Sequence, residues 1–224
     1  MINLFLSIKF EMTDSYRHKG LRKKLVENLI EKGITDHKVL DAISTLPRHF
    51  FMDLAFEEKA YEDIPFPIGK EQTISQPFTV AYQSSLLEVQ KRDKIMEIGT
   101  GSGYQAAILS LMGARVYTIE RHESLFNSSK TLLTSLGFNT IQFFWKDGYK
   151  GLPEYAPFDK ILVTAGAESI PEILLQQLKI GGICVIPVGK KDQHMYKITR
   201  TGENEYKNEK LDTFRFVPFL TGKE

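Results

Sequence analysis

The sequence predicts an α/β fold, a mostly parallel sheet covered by helices and finished by an antiparallel edge hairpin, and three observations carry the prediction. After Val89, short β-rich runs alternate with helical ones, the pattern of strands joined by crossover helices. Gly113 and Gly137 stand where helices should stop and Pro171 where one should start, so the turn chemistry follows the same alternation. Two late runs, 194–201 and 213–220, are joined through Gly202-Glu203-Asn204 with no room for a crossover helix, and should pair antiparallel.

In chain order, residues 15–46 place apolar side chains at helical spacing, Leu21, Leu25 and Leu29 on one face and Val39, Leu40 and Ile43 on the next. Gly33 separates the two helices and Pro47 ends the second. The cluster Arg17, Lys19, Arg22, Lys23 and Lys24 reads as a solvated helix face. Residues 61–69 carry Pro65, Pro67 and Gly69 and are expected as extended chain and turns. An apolar helical stretch then runs from Pro77 to Leu87, and strands are expected at 94–98, 115–119, 140–145, 160–164 and 182–187. No period of 20–50 residues repeats, which excludes a solenoid.

A chain of 224 residues, 42% hydrophobic and 25% charged, suffices for one or two soluble domains with a sizeable core. Lys and Arg number 29 against 28 Asp and Glu, so no net field holds a polyanion and no nucleic-acid partner is expected. The single cysteine, Cys184, cannot form an internal disulfide, which points to a reducing, cytoplasmic compartment. The five histidines, His18, His37, His49, His122 and His194, show no metal-ligand or catalytic-triad spacing, and no metal is expected. The apolar stretch 2–8 contains Asn3 and Ser7 and falls far short of the roughly 20 apolar residues of a membrane span, so no membrane association is expected. Residues 1–12 are read as a non-native or disordered extension, because better-behaved helical sequence opens at Met12 and a misplaced start would add 1–11.

The strongest local signal is Glu97-Ile98-Gly99-Thr100-Gly101-Ser102-Gly103, directly after an apolar strand and before the helical run 104–112. Glycines in a strand-to-helix turn let backbone approach a ligand, and the helix start offers unpaired N–H groups. Gly101-Ser102-Gly103-Tyr104-Gln105-Ala106 also fits a dinucleotide fingerprint, with Glu120 at the distance of a ribose-binding acid. Two features favour a cofactor without pyrophosphate. Asp147-Gly148 follows the third strand, where a carboxylate can accept from an adenine amine, and Glu97 would repel pyrophosphate but suit an ammonium group.

Taken together, Glu97–Gly103, Glu120 with Arg121, and Asp147-Gly148 resemble the successive motifs of class I S-adenosylmethionine-dependent methyltransferases. Within that class, Tyr61-Glu-Asp-Ile-Pro-Phe-Pro-Ile-Gly69 followed by Gln72-Thr73-Ile74-Ser75-Gln76-Pro77 resembles the protein-L-isoaspartate O-methyltransferases. So do Leu46-Pro47-Arg48-His49-Phe50, the run 159–167, the run 178–189 and Phe216-Val217-Pro218, and the likeness extends from about Tyr16 to Leu220. Lys146, Glu168-Ser169 and Phe219 depart from the family's usual residues.

The resemblance implies a Rossmann-like, doubly wound, seven-stranded sheet over 91–224, preceded by a helical and substrate-binding region over 13–90. It implies methyl transfer from S-adenosylmethionine to the free α-carboxylate of L-isoaspartyl residues in damaged proteins and peptides, by a monomer or weak oligomer. Ser75 is implied as catalytic; Thr73, Ser75, Glu97, Gly99, Thr100, Gly101, Ser102, Gly103, Glu120, Arg121, Asp147 and Gly148 as cofactor-binding; Thr73 and Gln76 as substrate-binding. On its position alone Ser75 reads as a cap for the following helix. An NAD-dependent oxidoreductase remains the alternative on the glycine run, and a class I methyltransferase of RNA or of another carboxylate the alternative on substrate.

Overall fold

The computed structural model describes residues 13–224, so the extension expected over 1–12 lies outside the described residues. Helix α1 (Tyr16–Glu31) starts at Ser15, whose hydroxyl accepts from the His18 N–H at 3.2 Å, and α2 (His37–Thr45) starts at an Asp36 cap. Leu25, Leu29, Val39, Leu40 and Ile43 are buried, as their spacing requires. The basic cluster is solvated except for Arg22, which reaches inward. Its guanidinium pairs with both Asp14 oxygens at 2.9 Å and donates to the Ser44 carbonyl and the Tyr61 hydroxyl. Nearby, Asp14, His18 and His49 bring ligand-type atoms within 4.8 Å of one another, a convergence that linear spacing does not reveal. Both Asp14 oxygens are already taken, and the adjacent guanidinium opposes a cation there.

The segment expected as extended chain closes into a hairpin, β1 (Phe66–Gly69) against β2 (Gln72–Ile74). Lys70 and Glu71, both at positive φ, make its two-residue turn, the geometry that matches strand twist. Helix α3 (Pro77–Leu86) follows. Its N-cap is Gln76, without a side-chain cap, and Asp63 supplies the missing acceptor by taking the Phe78 N–H at 2.7 Å. Ser75 is therefore not the cap.

Then come β3 (Lys94–Ile98), α4 (Tyr104–Leu111), β4 (Arg115–Glu120), α5 (Glu123–Ser135), β5 (Gln142–Trp145), β6 (Phe158–Val163), α6 (Glu172–Leu175), β7 (Leu178–Val188), β8 (Gln193–Arg200) and β9 (Tyr206–Phe214). They form one seven-stranded sheet in the order β5-β4-β3-β6-β7-β8-β9. The first five strands pair in parallel and β8 and β9 antiparallel, the expected Rossmann-like architecture. Period-two alternation splits the core: Ile95, Leu162 and Val185 face one layer, while Met96, Ile98, Ile161, Val163, Cys184 and Ile186 face the other. The first layer is continuous with Leu25, Leu29, Ile43 and Val80 of the N-terminal helices. The chain progresses outward from β3 to β5 and then restarts at β6 on the other side. This opens a crevice at the carboxyl ends of β3 and β6, where open α/β sheets bind ligands.

One strand lies elsewhere than expected. The hairpin closes at once, the Thr201 N–H donating to the Glu205 carbonyl at 2.8 Å, so the last strand is Tyr206–Phe214 and not 213–220. As an edge strand it carries Lys207, Asn208, Glu209 and Lys210, and its polarity hides it from a hydrophobic pattern. Residues 215–220 leave the sheet, and Pro218 bridges to Gly166 beside the crevice.

Candidate active site

The crevice is an open cleft lined by the β1–β2 hairpin and by the turns that follow β3, β4 and β6. Its floor is the turn after β3. Gly99 stands at φ +97, and a Cβ there would lie 2.3 Å from the Thr164 hydroxyl, which itself donates to the Ile98 and Gly99 carbonyls. Gly101, at φ +52, donates its N–H to Glu120 at 2.9 Å. Thr100 and Ser102 line the same turn, and the Ser102 hydroxyl accepts from the Tyr104 N–H. Gly103 serves packing: it does not line the cleft, and its Cβ would meet Leu133 of α5 at 2.7 Å. Gly148 also lines the cleft, beside the end of β3, where a Cβ would strike Ile98 at 2.4 Å.

Glu120 ends β4, buried but reaching the cleft. Its carboxylate accepts three backbone N–H groups, from Gly101, Arg121 and His122, at 2.9–3.0 Å. It thus holds the glycine turn against the end of its own strand. Arg121 lines the cleft with its guanidinium turned to the chain's last residues, donating to the Gly222 carbonyl at 3.2 Å and pairing with Glu224. Asp147 is half-buried directly before Gly148 of the cleft lining. Its oxygens accept from the Tyr149 and Gly222 N–H groups, because the short turn after β5 draws the carboxylate into its own cap.

Glu97 differs from expectation. Its side chain points into the buried layer under α4 instead of facing a ligand, as its parity with Ile95 requires. The Thr118 hydroxyl donates to one oxygen at 2.5 Å, and that hydroxyl also meets Thr100 at 2.6 Å. The other oxygen has no partner among the described residues. Burial, with the Glu120 charge adding, pushes this carboxyl up to about 8, so it is mostly protonated at neutral pH.

The opposite wall is Gln72, Thr73, Ile74 and Ser75. Thr73 is exposed on the hairpin, and Gln76 lies behind it outside the cleft. Ser75 is half-buried; its carbonyl accepts from Arg48 at 2.8 Å, and among the described residues nothing hydrogen-bonds its hydroxyl. Residues to which the sequence analysis gave no site role complete the site: Val80, Tyr104, Gln105, Ile119, Thr164 and Phe219. Most are apolar and look like core in sequence. Tyr104 and Gln105 stood in the glycine-run fingerprint, and Thr164 offered a hydroxyl at the end of a strand next to the crevice.

Comparison with known proteins follows the same lines. The family model for protein-L-isoaspartate(D-aspartate) O-methyltransferase matches residues 20–224. The protein-L-isoaspartate O-methyltransferase of Christiangramia forsetii is 54% identical over 212 residues, covering 95% of this chain and all of that one. That of Cytophaga hutchinsonii is 56% identical over 214 residues, covering 95% and 96%. Among solved structures, a Plasmodium falciparum protein described as such a methyltransferase, in complex with S-adenosyl-L-homocysteine, superposes with a TM-score of 0.79 at 27% identity, over 89% of this chain and 98% of its own.

Proposed function

Because the chain belongs to the protein-L-isoaspartate O-methyltransferase family, we propose that it transfers a methyl group from S-adenosylmethionine to the α-carboxylate of L-isoaspartyl residues in proteins and peptides, initiating their repair. The relatives do not favour the oxidoreductase or RNA-methylating alternatives. The cleft fits the cofactor: a glycine turn barred to side chains gives backbone access, and an acid stands at the end of the neighbouring strand. Gly99, Thr100, Gly101, Ser102 and Gly148 would line its place. Glu120 has accepting capacity left for one ribose hydroxyl and not the expected two, since three of about four lone-pair positions hold backbone N–H groups. Bound S-adenosylmethionine supplies an activated methyl group.

What remains for the chain is positioning. An α-carboxyl group has a pKa of about 3.3–3.7 and is ionised at neutral pH, so no general base is needed. The single observation that carries the reading of Ser75 is its unpartnered hydroxyl in the wall facing the glycine turn. In this reading it donates to the acceptor carboxylate and orients it, while Val80, Ile119 and Phe219 limit water. Thr73 shapes the rim where peptide enters. The partners are isoaspartyl proteins and peptides, without nucleic acid or membrane, met by a monomer or weak oligomer in the cytoplasm. The near-zero net charge supports the absence of a nucleic-acid partner, and no helix among the described residues is long and apolar enough to cross a membrane.

Labelled methyl transfer to an isoaspartyl peptide beside its normal aspartyl twin tests the activity, with transfer to the first alone expected. Ser75→Ala should lower the single-turnover rate by roughly one to two orders of magnitude, about 1.4–2.7 kcal/mol, at unchanged stability. A folded Ser75→Ala protein at wild-type rate would remove Ser75 from the mechanism.

A further inference from the structure

Behind the acceptor wall lies a fully buried charge. Arg48 opens a 3-10 turn and is 0% exposed. Its guanidinium lies over the Tyr104 ring, 4.9 Å from the centroid, and one amino nitrogen donates to the Ser75 carbonyl at 2.8 Å. Among the described residues Nε and the other amino nitrogen have no hydrogen-bond partner, and no carboxylate pairs directly with the guanidinium, on which the charge of Asp63 acts from a distance. Burying a cation with unmet donors is costly, and an apolar side chain of similar volume commonly serves stability as well or better. What Arg48 touches is the cleft itself: Tyr104 lines one side and Ser75 the other.

We propose that Arg48 is a positioning residue for methyl transfer, fixing the Ser75 peptide so that its hydroxyl is aimed into the cleft. The hairpin holds Ser75 from one side through the pairing of Ile74 with Phe66, and α3 begins just beyond it at Pro77. Between these anchors the Ser75–Gln76 peptide could still rotate, and the Arg48 hydrogen bond removes that freedom. A planar fork suits the task, since it stacks on Tyr104 while extending one N–H sideways, which an ammonium cannot reproduce. The proposal rests on the reading of Ser75 given above.

The test compares Arg48→Met, Arg48→Lys, Ser75→Ala and the Arg48→Met/Ser75→Ala double variant by thermal unfolding, calorimetric titration with S-adenosylhomocysteine, and steady-state methylation of an isoaspartyl peptide. Arg48→Met should unfold at the same or a higher temperature and bind S-adenosylhomocysteine within about twofold of wild type, while kcat drops by about tenfold, the scale of one lost orienting contact. Arg48→Lys should recover part of that loss, and the double variant should be no slower than Ser75→Ala alone. Wild-type kcat in Arg48→Met, with or without lost stability, overturns the proposal. So does a multiplied loss in the double variant while Ser75→Ala is itself impaired. If Arg48→Met fails to fold, Arg48→Lys carries the test: a reduced kcat at unchanged cofactor affinity supports the proposal, and a wild-type kcat overturns it. Ser75→Ala at wild-type rate would sink the Ser75 reading, and this inference with it.

Discussion

The two walls of the cleft are built by opposite means. The cofactor wall is one contiguous run, Gly99–Ser102, with Gly103 packed behind it, and its glycines meet a neighbour too close for a side chain or sit at positive φ. The acceptor wall, Gln72–Ser75, is held by residues far away in the chain. Phe66 pairs with Ile74, Arg48 holds the Ser75 carbonyl, and Asp63 caps the following helix with Lys32 behind it. A contiguous wall is over-determined by its own backbone and fails when a single atom is added. An assembled wall divides its support among several contacts and should fail by degrees, so damage should register in positioning before it registers in binding.

The largest effect expected is therefore Gly99→Ala. The new methyl would stand 2.3 Å from the Thr164 hydroxyl at a φ of +97 that L-residues rarely adopt, so the turn must move. Affinity for S-adenosylhomocysteine should fall at least a hundredfold, about 2.7 kcal/mol or more, by calorimetry. Thr164→Ala should rescue it only partly, because the backbone conformation remains unfavourable. Near wild-type binding in Gly99→Ala would mean that the cofactor wall is as forgiving as the other.

The same contrast explains what the sequence disclosed. Glycines, acid and helix start lie within a few residues of one another, so their joint meaning survives in linear order, and the parallel strands announced themselves as apolar runs. The support of Ser75 did not, because Arg48, Asp63 and Lys32 act together only after folding: Arg48 and Asp63 stood in family-like segments without a role, and nothing in the sequence singled out Lys32. The Ser75 hydroxyl looked like a cap for the same reason: the true acceptor, Asp63, comes from 15 residues upstream. Glu97 was misplaced by a different failure. Its position in a strand was legible, but which face it took depends on the layer under α4, and a buried protonated carboxyl has the same letter as an exposed anion.

Glu97 gives the next effect in size, a hidden cost beneath the cofactor wall. Below about pH 4.5, its ordinary value, the group is protonated whether the chain is folded or not. Between there and about 8 the unfolded chain releases the proton and the folded one keeps it, so stability falls as pH rises, and the loss levels off above about 8. Each pH unit within that window costs about 1.4 kcal/mol at most. Glu97→Gln has no such titration, so its stability relative to wild type should rise by up to about 2.7 kcal/mol from pH 5 to pH 7. Urea unfolding of the pair at pH 5, 6 and 7 measures the difference, in which all other titrating groups cancel. Parallel profiles would show that the carboxyl is ionised in the folded protein.

The smallest effect belongs to the assembled wall and asks whether its support can be removed in pieces. Asp63 accepts the Phe78 N–H at 2.7 Å and pairs with Lys32 at 2.5 Å, so one carboxylate holds the start of α3 and ties it to the end of α1. Asp63→Ala removes both contacts and should lower stability by about 1–2 kcal/mol, the scale of a lost helix cap plus a partly exposed ion pair. Asp63→Asn keeps an acceptor for the amide and should lose less than about 1 kcal/mol, as expected for the ion pair alone. Because Ser75 lies three residues before Phe78, Asp63→Ala should also lower kcat a few-fold with the affinity for S-adenosylhomocysteine unchanged, since the glycine turn takes nothing from Asp63. Single-turnover methylation and calorimetry on the same preparation separate the two readouts. If cofactor affinity fell in step with kcat, the walls would be mechanically one, and the division between a brittle contiguous side and a graded assembled side would have to be given up.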